Sequence, residues 1–82
     1  MRYAIKHKPT GKFFCEDEGG TFLVDEDDMI MTWGRKSSAD EMLSEMIKYS
    51  DDGFIFVEYA GADYDMPDDN QFPVSDFEVA TL

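Results

Sequence analysis

Residues 61 to 73 read GADYDMPDDNQFP and set four aspartates and an asparagine within the eight positions Asp63 to Asn70. Carboxylates this dense suit a hard cation, because calcium and magnesium take oxygen ligands. A calcium loop of the EF-hand kind needs oxygens at its first, third and fifth positions, a glycine at the sixth and a bidentate glutamate at the twelfth. Asp63 and Asp65 meet the first two requirements. Pro67 then stands at the fifth position, Asp68 replaces the glycine and Val74 replaces the glutamate. The stretch therefore reads as a solvated connection held open by Pro67 and Pro73, and no metal is assigned to it. A divalent-metal or small-molecule binding domain stays as an alternative.

Nucleophilic chemistry would have to use the single cysteine, Cys15, with the single histidine, His7. A hairpin pairing Lys8 with Lys12 places the two diagonally on one face, within about 8 Å. A slip of one residue would separate them, and no third residue stands out to orient the imidazole. Gly19-Gly20 lacks the lysine and helix start of a phosphate-binding loop. The chain is read as a nonenzymatic protein without a cofactor.

The elements that must position these residues follow from periodicity. Arg2 to Lys8 alternates like a half-buried strand, Lys8-Pro9-Thr10-Gly11 is a turn, and Lys12 to Glu16 returns as its partner. A second turn over Asp17 to Gly20 leads to a short strand, Thr21 to Val24, and Met29 to Trp33 is read as a further strand. Ser38-Ala39-Asp40-Glu41 matches a capping box, with both acids in the first helical turn. Ala39, Met42, Leu43, Met46 and Ile47 then form one apolar stripe, and Gly53 ends the helix. Phe54 to Tyr59 is nearly continuous in apolar residues, as in a central strand, and Ser75 to Leu82 alternates as the last one. The expected fold is α+β: one domain over residues 1–82, a single antiparallel-rich sheet of five or six strands, and one helix across a face, in the order β-β-β-(β)-α-β-β.

Charge narrows the partners. The chain carries 19 acids against 7 bases, a formal charge of -12, with Arg2, Lys6, Lys8 and Lys12 gathered in the first twelve residues. Such a balance repels free nucleic acid and anionic membrane, and favours a basic protein. The acids most able to form one anionic stripe are Asp25, Asp27 and Asp28, Asp40, Glu41 and Glu45 on the helix, and Asp63, Asp65, Asp68 and Asp69. Trp33 is the candidate centre of an alternative, hydrophobic contact surface on the sheet. No run is long and apolar enough for a membrane span or signal peptide, and a lone cysteine fits a reducing compartment, so a cytoplasmic protein is expected. An exposed edge on the last strand would allow a homodimer.

The opening RYAIKHKPTGKFF, the acidic stretch after it, the tryptophan segment and SSADEMLSEMI together resemble the small accessory, nonstructural proteins of tailed bacteriophages. The resemblance covers about the first fifty residues and implies a protein made in the bacterial host cytoplasm. Size and acidity are also similar to those of phage inhibitors that mimic DNA against host defence enzymes. That likeness implies binding and inhibition of a basic, nucleic-acid-handling host protein.

Overall fold

The computed structural model describes residues 1–26 and 28–82; the expectation placed on Asp27 lies outside them. The first hairpin joins β1 (Tyr3–His7) to β2 (Phe13–Asp17), and a tight turn leads to β3 (Gly20–Val24). The helix α1 (Lys36–Lys48) follows, then the short strands β4 (Phe54–Phe56) and β5 (Gln71–Pro73), a 3-10 turn (Val74–Asp76) and β6 (Phe77–Thr81). The α+β class and the single helix are as expected. The single sheet is not: a four-stranded antiparallel sheet in the order β3-β2-β1-β6 stands beside a two-stranded one of β4 and β5.

The first hairpin closes one residue away from the expected register. His7 N–H donates to the Lys12 carbonyl at 2.8 Å and Lys6 faces Phe13, so the loop holds four residues, Lys8 to Gly11. The Thr10 hydroxyl organises that loop, 2.9 Å from His7 Nδ1 and accepting from Lys12 N–H at 3.2 Å. A one-residue slip turns every later side chain to the other face.

Beyond Lys6 and Phe13 the two strands diverge, and Met31 to Trp33 enters the gap. Trp33 exchanges two backbone hydrogen bonds with Tyr3, at 2.8 and 2.9 Å, while Met31 N–H reaches Phe14 O at 3.4 Å. One bridge is too little for a strand, which corrects the strand expected over Met29 to Trp33. The same anchor fixes where the chain leaves the sheet. The helix consequently begins at Lys36, two residues before the expected cap, with Arg35 at the N-cap and no side-chain cap. Ser38 lies inside the helix, the first turn holds no acid, and Asp40 pairs with Lys36 at 3.1 Å instead.

Ala39 and Met46 are buried, and Met42 and Leu43 pack against the core, but Ile47 is 54% exposed. At about 100° per residue Ile47 lies roughly 80° round the helix from Ala39, at the margin of the apolar stripe. Gly53 serves a different turn from the one expected. Asp52 and Gly53 both take positive φ, and Asp51 and Phe54 exchange two hydrogen bonds across them. This is the geometry of a two-residue primed turn, for which Asp-Gly is a favoured pair.

Phe54 to Tyr59 is not a central strand. Its first three residues pair with β5, leaving Phe54 and Phe56 42% and 49% exposed; its last ones shift to the outer edge of β3. There Glu58 N–H donates to Thr21 O and Leu23 N–H to Tyr59 O. β6 remains a sheet edge, and the exposed Glu78 sets a like charge against self-pairing there. Ile5, Phe14, Leu23, Met46, Val57, Phe72 and Phe77 form one core drawn from both sheets and the helix.

His7 belongs to that core. Its ring is 1% exposed and packs on Phe77, Phe72 and Tyr64, with centroids 4.9, 5.3 and 6.3 Å away. Burial lowers its pKa from the ordinary 6.5, against a smaller opposing pull from Asp76. The unfolded chain therefore takes up this proton first as pH falls, so the stabilisation present above 6.5 is lost on acidification toward the folded value. The thermal midpoint is expected to drop between about pH 7.5 and pH 5, and His7→Leu to flatten that slope. A flat profile in the parent protein would sink this account.

Candidate functional site

The segments KFFC and TFLV lack the alternation of a sheet with one wet face, and the structure shows why. Phe14 faces Leu23 across the β2–β3 pair, and both are buried in the core. Cys15 faces Phe22, and Phe13 faces Val24, on the opposite surface. That second apolar surface is the floor of a cleft of about 290 Å³. Cys15, Phe22 and Val24 lie at its base, and Met29 and Tyr59, both about half exposed, form walls. Asp17, Asp25 and Glu26 contribute carboxylates to the lining, and Lys12, Leu23 and Gly61 complete it.

Lys12 is the one base in this lining, and its charge is already engaged. Its side chain is 9% exposed, and the ammonium donates to Asp63 Oδ1 at 2.6 Å and to the Ala60 carbonyl at 2.5 Å. The hydrogen bond from Lys12, with a smaller contribution from its own backbone N–H, holds the Asp63 carboxyl below its usual range. The acids of the cleft are thus left without a basic partner among the described residues, where only Asp63 and Asp40 form ion pairs.

The register also settles the relation of Cys15 to His7. The two lie on opposite faces, Cys15 in the cleft and His7 in the core, so the juxtaposition that a Lys8–Lys12 pairing would have allowed does not form. Burial, reinforced by the Asp17 charge, pushes the Cys15 thiol up, the reverse of what an activated nucleophile requires.

The acidic residues named from the sequence fall in several places. Asp25 lines the cleft next to Glu26 and at the opposite end of the β2–β3 pair from Asp17, and Asp28 is exposed. Asp40, Glu41 and Glu45 are exposed on the helix and line neither the cleft nor the second, shallower hollow. That hollow brings Asp69 beside Asp51, Phe54 and Gln71. Asp65 and Asp68 are exposed in their loop. Trp33 is half-buried and packs against the core. Among the described residues no three His, Cys, Asp or Glu side chains converge as metal ligands would.

The connection from Gly61 to Pro73 is more structured than a solvated loop. Tyr64 and Met66 pack against the core, and the Asn70 side-chain amide donates to the Val57 and Glu58 carbonyls. Asp69 accepts from Gln71 N–H at 3.1 Å, and the last three residues are strand β5. Pro73 is tolerated because β5 has a partner on one side only.

Lys12, Asp17, Glu26, Met29 and Tyr59 were not among the residues singled out from the sequence. The signal that could have found their site was the double-faced apolarity of the second hairpin, which calls for cover on both surfaces. Among the described residues no helix is long and apolar enough to cross a membrane. Compared with protein-family models, with curated proteins and with solved structures, the chain matches none of them.

Proposed function

We propose that the protein acts without catalysis, as a small phage-type accessory protein of the bacterial cytoplasm, by binding and inhibiting a basic, nucleic-acid-handling host protein. The observation that carries this reading is the set of exposed carboxylates without a basic partner among the described residues, on a body 36 Å in its longest dimension. Duplex DNA of that length carries about twenty phosphate charges, and one of its strands about ten. The net charge of -12 sits near the single-strand figure, enough to compete for a cationic groove through part of its footprint. The basic residues Arg2, Lys6 and Lys8 lie on the β1 side of the molecule, away from a uniformly anionic mimic.

Binding of this kind releases counterions and weakens with salt. Protein captured from bacterial lysate at low salt should be released at about 1 M salt, where charges are screened beyond about 3 Å, and should be displaced by duplex DNA. Retention through both washes would overturn the electrostatic reading. It would favour a hydrophobic contact, for which the exposed pair Phe54 and Phe56 offers more surface than the half-buried Trp33.

A further inference from the structure

We infer that the cleft on the outer face of β2 and β3 takes a short basic segment of the partner, with one apolar side chain seated between Phe22, Met29 and Tyr59 and flanking arginines or lysines held by Asp17, Asp25 and Glu26. The inference rests on the proposed function and gives its acidic surface a defined anchoring point. Three features select this occupant.

The floor is apolar and open, so covering it with an apolar group is favourable in proportion to the area removed from water. The volume of about 290 Å³ equals the liquid share of about ten waters, room for one or two side chains. Charge then sets the flanks. Three carboxylates line the cleft, while the ammonium of Lys12 is consumed by Asp63 and the Ala60 carbonyl, so an incoming group meets a net negative rim. An acidic or purely apolar ligand would leave those carboxylates repelled or unpaired. Tyr59, 52% exposed, adds a ring over which a guanidinium can lie.

The test is a titration of the whole protein, followed by amide NMR shifts, with three capped tripeptides: Arg-Leu-Arg, Arg-Gly-Arg and Glu-Leu-Glu. Arg-Leu-Arg should move the amides of Phe22, Met29 and Tyr59. Arg-Gly-Arg should bind about tenfold more weakly, and Glu-Leu-Glu should leave the cleft unmoved. Two doubly reversed variants, Asp25→Lys with Glu26→Lys and Glu41→Lys with Glu45→Lys, change net charge equally at different places. All four positions are exposed, so both variants should fold. Only the first pair should abolish the Arg-Leu-Arg shifts. Equal weakening by both pairs, or no shifts in the cleft, overturns the anchoring site. In either case salt-sensitive capture of a basic protein would still stand or fall separately as the test of the broader function.

Discussion

Phe72→Ala is expected to cost about 3–5 kcal/mol of folding stability, the range for deleting a fully packed aromatic ring. Phe72 is 2% exposed although it belongs to a three-residue strand of the smaller sheet. From there its ring meets His7 of the four-stranded sheet at 5.3 Å and Tyr64 of the loop at 5.7 Å. It therefore joins three parts of the chain that share few backbone hydrogen bonds. A domain of this length is stable by only about 4–12 kcal/mol, so the loss is about a quarter of the total or more. Chemical denaturation should show the midpoint falling sharply, and a heat scan should show a drop on the order of 15–30 °C. Phe72→Leu, which keeps most of the buried volume, should lose much less. A cost below about 1 kcal/mol for the alanine variant would mean that the smaller sheet is not packed as described.

That dependence on one ring explains part of what the sequence could and could not convey. Local signals were legible. The Lys8–Gly11 turn, the alternation of β1 and β6, and the helical repeat of Ala39, Met42, Leu43 and Met46 each depend on neighbours close in the chain. What failed depends on distant partners. The capping box at Ser38 was locally sound, but Trp33 pairing with Tyr3 sets the start of the helix earlier. FIFVEY looks central by composition, yet it divides between two sheets because β5 captures its first half and β3 its second. β5 itself was hidden in an acidic loop, since a strand of three residues has no period to detect. The candidate site suffered in the same way. One residue of hairpin register decided that Cys15 faces a cleft and not His7, and turn geometry at Thr10 sets that register. Charge was visible from composition, but which carboxylates share a site was not: Asp17 and Asp25, at opposite ends of the β2–β3 pair, line one cleft together with Glu26.

Gly61→Ala should be the most damaging change at the cleft itself, costing about 2–4 kcal/mol, and the reason lies in Lys12. Gly61 has φ +96°, a backbone conformation that side-chain-bearing residues adopt only under strain. A methyl group there would also collide with the Lys12 ammonium. The end of a lysine normally swings aside at little cost, but this one is held by the Ala60 carbonyl and Asp63. Displacing it removes the donor from a buried carbonyl, whereas Asp63, largely exposed, simply regains water. Lys12→Met keeps the buried stem and removes only the ammonium, so it should cost about 1–3 kcal/mol, chiefly for the orphaned Ala60 carbonyl. The two effects share an atom and should not add. With methionine at position 12 the added methyl meets a side-chain end free of tethers, and the carbonyl is already unpaired, so the double variant should be more stable than the sum of the singles predicts by about 1 kcal/mol or more. Denaturation of the four proteins gives that coupling directly. A sum that is simply additive would mean that Gly61 is required for its backbone angle alone, and that the lysine does not fix how the acidic loop is held against the cleft.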